Sequence, residues 1–271
     1  MSNYTVTYNG ITDKSLGAHA KSRPSVPAPI PKVNVVELAG RDGAYYDAEG
    51  TFNDIAIQIT FAWSSTTFVW TPTGTKKSAG NWFEKYRAIK NWLLSGDNGN
   101  LSFSDQSGYY YRVRNVEIVS TERTARIFGE VTAVFYCDGY TYLNTGDQWT
   151  KILTYYTMTR DGVVSYHPRK LSDTLDNSYA LCHPIYQITG SGTLQIVVND
   201  KGFNVTVNES ATIDTERMLT LNEDSEWVNT TASGDYEDLW LPHGSSSWSV
   251  SYSPQVTMGF EIFIKPQWRC L

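Results

Sequence analysis

A chain of 271 residues with 41% hydrophobic and 18% charged side chains can bury a real core, as two compact domains or as one large β domain. Its formal charge of -6 and pI near 5.2 exclude a partner gripped by the net field of a basic protein, so neither DNA nor an anionic membrane is the default partner. The three cysteines, Cys137, Cys182 and Cys270, are odd in number and far apart, which argues against a disulfide framework and fits reduced thiols in a cytosol.

The opening MSNYTVTYNGITDKSLG lacks the basic and then apolar order of a secretory leader, and no apolar run is long enough to span a bilayer. A soluble chain made without export is expected. Period-two patterns rich in Val, Ile, Thr, Tyr and Phe, broken by Gly, Asn and Asp, then predict a mainly β fold. The first strand is placed near Tyr4 to Tyr8. PSVPAPIP, from Pro24 to Pro31, cannot pair within a central sheet because proline lacks an N–H and fixes φ, so it reads as an exposed arm or crossing. Strands follow near Val33 to Leu38 and Ile55 to Trp63, with a glycine-bearing turn, GRDG, just after the first of them.

NWFEKYRAIKNWLLSG breaks the β rhythm. Trp82, Tyr86, Ile89 and Leu93 recur at helical spacing and predict a helix over about 82–94, capped by an Asn81/Glu84 box and ended by Gly96 in a left-handed conformation. Its aromatic stripe reads as core against a sheet. Strands are then predicted near Tyr109 to Val119 and Arg126 to Tyr136. CDGYTYLNTG, from Cys137 to Gly146, has turn residues after a long strand and reads as a linker, dividing the chain into 1–142 and 143–271. The second half gives strands near Trp149 to Tyr156, Ile185 to Ile188, Thr193 to Val198, Asn204 to Val207, Ala211 to Asp214, Ser247 to Tyr252 and Gly259 to Ile264. Its tight turns, including one at Asp200-Lys201-Gly202, have the rhythm of an antiparallel sandwich.

Residues that could carry chemistry are few. Asp214 and Glu216 in IDTER share a strand face, but at a separation between the retaining and inverting ranges of glycosidases, and a charge at a strand end is more simply paired with a neighbour such as Arg217. Glu223, Asp224 and Glu226 read as a solvated acidic turn. His19, His167, His183 and His243 show no metal spacing, and no nucleophile elbow, phosphate-binding loop or C-x-x-C pair occurs. The N-x-S/T triplets at Asn3, Asn204, Asn208 and Asn229 are close to what the composition gives by chance. No catalytic residue, metal ligand or cofactor is expected.

The order of the pieces carries a resemblance. VNVVELAGRDGAYYDAEGTFNDIAIQITF, the helix NWFEKYRAIKNWL and the strand VTAVFYCDGYTY, followed by ITGSGTLQIVVN, ATIDTERMLTL, LWLPHGSSSWSV and KPQWRCL, resemble the distal tail protein (Dit) family of long-tailed bacteriophages. The resemblance implies a ring-forming amino-terminal β domain with one helix and a carboxyl-terminal galectin-like or carbohydrate-module-like β-sandwich. It implies a homohexameric ring that joins the tail tube protein to a tip hub protein and holds a receptor-binding protein. The place of action would be the virion tail tip, after assembly in the host cytoplasm, with no enzyme activity, no stable nucleic acid binding and no membrane. In that setting Gly40 and Gly43 serve backbone conformations that a side chain opposes, and Arg41 and Asp42 would lie exposed for pairing between subunits, a solvated turn fitting the local sequence equally well. The chain is too short for the long sugar-binding insertions that some members carry.

The alternative from another class is a carbohydrate-binding module, for which Trp227, Tyr236, Trp240 and Trp248 would have to form an exposed aromatic row on the second sandwich. A glycosidase would need a buried carboxylate pair.

Overall fold

The computed structural model describes residues 4–37, 39–40, 42–71, 74–79, 81–96, 99–153, 155–160, 163–168, 172–252 and 260–271. Among them the chain is mainly β with one α-helix, and it divides into two compact units, Met1–Tyr142 with Leu271, and Leu143–Cys270.

The first unit contains β1 (Val6–Tyr8), β2 (Ile11–Thr12), β3 (Ala18–Ala20), β4 (Pro31–Glu37), β5 (Ala44–Phe52), β6 (Ile55–Ser64), β7 (Thr66–Thr71), β8 (Gly74–Ala79), α1 (Trp82–Leu93), β9 (Gly99–Phe103), β10 (Tyr109–Glu122) and β11 (Phe128–Leu143). Its main sheet runs β2-β1-β9-β10-β11-β6-β3, whereas β4–β5 and β7–β8 are separate two-stranded hairpins. The strand β6 shows why a sheet forms here. Ile55, Ile57, Ile59, Phe61 and Trp63 fall on one face by period two, and all five are buried. They lie in register with Val131, Ala133, Phe135 and Cys137 of β11, so one apolar face is continuous across two strands.

The helix closes that face. Trp82, Ile89, Trp92 and Leu93 are buried, and Trp92 packs edge-on against Phe61 at 5.2 Å while its Nε1 donates to Tyr8 O at 3.0 Å. The start is capped by Asn81, but through the Phe83 N–H at 3.0 Å rather than the Glu84 N–H that a capping box uses. The end differs from the expected glycine cap. Leu94 occupies the C-cap at φ -102°, and Gly96 comes two residues later, where its carbonyl accepts from the Tyr8 hydroxyl at 3.0 Å.

Nor is CDGYTY a linker. β11 continues through it to Leu143, with Cys137, Asp138, Gly139 and Tyr142 buried. The polar Asp138 is tolerated there because Tyr142 Oη donates to it at 2.7 Å and Arg114 at 3.3 Å.

The second unit adds β12 (Thr150–Leu153), β13 (Tyr155–Arg160), β14 (Val163–Pro168), β15 (Ser172–Asn177), β16 (Ile185–Thr189), β17 (Gly192–Val198), β18 (Lys201–Val207), β19 (Ser210–Asp214), β20 (Leu219–Asn222), β21 (Ala232–Ser233), β22 (Gly244–Tyr252) and β23 (Glu261–Lys265). Two five-stranded sheets, β12-β23-β16-β19-β20 and β15-β22-β17-β18-β21, share one buried core, and β13–β14 stands as a separate hairpin. Tyr186, Ile188, Ile213, Ile262 and Ile264 from one sheet meet Leu194, Ile196, Phe203, Val205 and Trp248 from the other, as in an antiparallel sandwich. The β17–β18 turn falls on Asn199 and Asp200, at φ 49° and 65°, one residue earlier than the glycine suggested. Asn and Asp tolerate the left-handed conformation that a two-residue hairpin loop requires.

Candidate functional site

The surface least explained by folding is the β4–β5 hairpin. Val33 pairs with Ala48, Val35 with Tyr46 and Val36 with Tyr45, and the two strands pair only with each other among the described residues. Every residue of β4 is exposed. Because side chains alternate, Val35 and Tyr46 mark one face and Val36 and Tyr45 the other, which also bears the polar pair Asn34 and Asp47, and all of these residues are open to water. Tyr45 is 60% and Tyr46 66% exposed. An isolated two-stranded hairpin is marginal in water, and contiguous apolar surface on a folded chain marks a binding surface.

Its turn and its root are both specified. Gly40 and Gly43 have φ 79° and 83°, and nothing lies within 4 Å of a side chain built at either, so the backbone conformation rather than space demands glycine. Asp42 is exposed, and Arg41 lies outside the described residues. At the root, Phe52 packs edge-on against Tyr140 at 5.5 Å, and Asn53 N donates to Ile30 O at 2.9 Å. Gly139 of β11 lets this root approach: a Cβ there would stand 2.9 Å from both Phe52 Cβ and Asn53 O.

In the second unit the four aromatic residues expected to form a row do not. Trp248 is 1% exposed, because β22 alternates and Ser246, Trp248 and Val250 all face inward. Tyr236 is half-buried, tilted against Phe203 at 4.9 Å between ring centroids, with its hydroxyl 2.8 Å from Thr220 Oγ1. Trp240 lies against His183 at 4.3 Å and donates from Nε1 to Thr215 O at 3.3 Å. Only Trp227 of these four stands out in solvent.

The carboxylates are likewise structural. Asp214 Oδ1 accepts from the Glu216 and Arg217 N–H groups at 3.1 and 3.0 Å, which makes it a turn-forming acid at the end of β19. A cleft of about 300 Å³ at the sandwich edge, lined by Thr206, Asn208, Glu209, Ser210 and Glu223 among others, was not legible as a unit. There a direct hydrogen bond to Glu209 holds the Glu223 carboxyl above the usual range, with the Glu209 and Asp224 charges adding to it. The Cys137 thiol is pushed up to about 12, chiefly by burial, and is no nucleophile. His19 and His243 are exposed and His183 packs on Trp240. The His167 side chain is outside the described residues. Among the described residues no three His, Cys, Asp or Glu side chains gather as a metal site, and no helix is long and apolar enough to cross a membrane.

Among the described residues the architecture is thus that of a two-unit, sandwich-rich β chain with one α-helix and a separate hairpin whose valines and tyrosines are exposed. In fold it is similar to the Dit protein of phage SPP1, described as a paradigm of the hub adsorption apparatus in phages that infect Gram-positive hosts. The two share 15% sequence identity with a TM-score of 0.56, over 97% of this chain and 98% of that one. No family model matches the chain, and no curated protein matches its sequence.

Proposed function

We propose that this chain is a structural distal tail protein of a long-tailed bacteriophage. Six copies form a ring at the end of the tail, coaxial with the tube, on which the tip is built. The unit Met1–Tyr142 makes the ring and the sandwich of 143–271, galectin-like in this reading, faces outward as an attachment site. Its partners are further copies of itself, the tail tube protein, a tip hub protein and a receptor-binding protein. It acts at the virion tail tip after assembly in the host cytoplasm, without catalysis and without stable binding of nucleic acid or membrane.

The observation that carries the reading is the β4–β5 hairpin, whose exposed valines and tyrosines have no use in a solitary chain. The likeness in fold to a phage hub protein along nearly the whole chain supports it. Negative-stain microscopy and light scattering of the purified protein are expected to reveal six-fold rings, alone at high concentration or with tail-tube protein added. Monomers under every such condition would sink the proposal. Retention on cell-wall polysaccharide without rings would favour the carbohydrate module instead.

A further inference from the structure

A ring closed from one kind of chain brings two different surfaces together at every junction. The hairpin supplies one of them. The other must be apolar enough to cover valines and tyrosines, and must suit the charge that comes with them. From Pro31 to Phe52 the sequence holds the acids Glu37, Asp42, Asp47 and Glu49 against Lys32 and Arg41, a net negative arm.

One face of the first unit has the complementary character. On α1 and its C-cap, Phe83, Arg87, Lys90 and Leu94 fall on a single stripe by helical spacing, and all are exposed, Phe83 by 60% and Leu94 by 52%. Beside the stripe, Arg123 stands 5.1 Å from the Trp82 ring centroid and 5.5 Å from that of Phe83, held by its guanidinium donating to Arg126 O at 3.1 Å. Phe128 is 50% exposed, and its carbonyl accepts from Trp82 Nε1 at 3.2 Å. Phe83, Arg123 and Phe128 therefore surround one buried tryptophan. Aromatic and arginine side chains arranged in this way are the usual makings of an interface hot spot. The helix and the adjoining turn also carry Lys85, Arg87, Lys90, Arg123 and Arg126 against Glu84 and Glu122, a net positive field facing a net negative arm.

We propose that the face formed by Phe83, Arg123 and Phe128 receives the β4–β5 hairpin of a second copy of this chain, an assignment that rests on the ring reading above. The hairpin's apolar side chains cover the two phenylalanines and Leu94, and its acids lie toward Arg87, Lys90 and Arg123. Each copy thus gives an arm to one neighbour and takes an arm from the other.

Two full-length variants test this. Tyr46→Ser with Asp47→Lys blunts the arm, and Phe83→Ser with Arg123→Glu blunts the receiving face. Each alone is expected to lose about tenfold or more in assembly affinity. Mixed in equal amounts, they retain one good arm and one good face between them, so native mass spectrometry should find a one-to-one dimer and no larger species. If the receiving-face variant does not fold by circular dichroism, Arg87→Glu with Lys90→Glu on the solvent side of α1 carries the same test. Rings from a folded receiving-face variant, or a folded mixture that stays monomeric while the wild-type protein forms rings, overturn this assignment and leave the hub reading standing. A wild-type protein that never forms rings, even with tail-tube protein, overturns both.

Discussion

Strands β4 and β6 are close in sequence and read alike, since PKVNVVE and IAIQITFAWS are both rich in β-branched side chains. Yet β6 buries every second residue between neighbours on both sides, while β4 buries none. The same residue types serve two ends. In β6 they supply the free energy of folding, and in β4 they stay in water, because β-propensity measures fit to a half-buried surface and does not say whether the same chain provides it.

The comparison can be broken by substitution. Phe61→Ala in β6 removes a fully buried ring that packs on Trp92, and is expected to cost about 3–5 kcal/mol in denaturant unfolding. Next in size is the hairpin turn. Gly43→Val forces a β-branched residue into φ 83° and should cost about 1–3 kcal/mol, whereas Asp42→Ala in the same turn should cost under about 1 kcal/mol. Equal melting temperatures and ring yields for these two would contradict the turn geometry. Tyr46→Ser is expected to change the unfolding free energy of the isolated chain by no more than about 0.5 kcal/mol, since the ring is already in water. A loss as large as that of Phe61→Ala would erase the distinction between the strands.

The smallest effect is expected at the sandwich edge. The Glu223 carboxyl is raised in the folded chain by its bond to Glu209, so whatever stability this bond gives is present at low pH and is lost as pH rises through the raised value. Glu223→Gln should remove that pH dependence, as chemical denaturation followed across the acid range will detect. An unchanged profile would mean that the bond does not form in solution.

What the sequence revealed follows the same division. The helix was legible because Trp82, Ile89 and Leu93 recur at its period and are buried by it, and β6 because its alternation is enforced by a core on one side. Strand β5, AYYDAEGTF, was not predicted: with no buried face it has no need to alternate. The reach of β11 through CDGYTY was hidden for a different reason. Asp138 and Gly139 look like turn residues, and only the partners Tyr142, Arg114 and Phe52, remote or out of sight in a strand pattern, make them strand residues here. Trp248 was within reach. The strand near Ser247 to Tyr252 was identified, and its parity with Val250 already placed the tryptophan inside. At the β4–β5 hairpin, the turn GRDG marked the segment, but nothing in the sequence said that the valines before it and the tyrosines after it would all be left in water.

The glycine at position 139 has a consequence for how fast and how tightly such an arm can dock. With Phe52 seated against Tyr140 and the backbone of Asn53 tied to Ile30, the arm's base is ordered when the chain folds rather than when it meets a neighbour. The entropy of fixing that base is lost once, on folding, and would not be lost again at any contact the arm makes under the ring proposal. A tether of equal length with a loose base would search more space and hold less firmly; an arm set on Gly139 arrives preorganised.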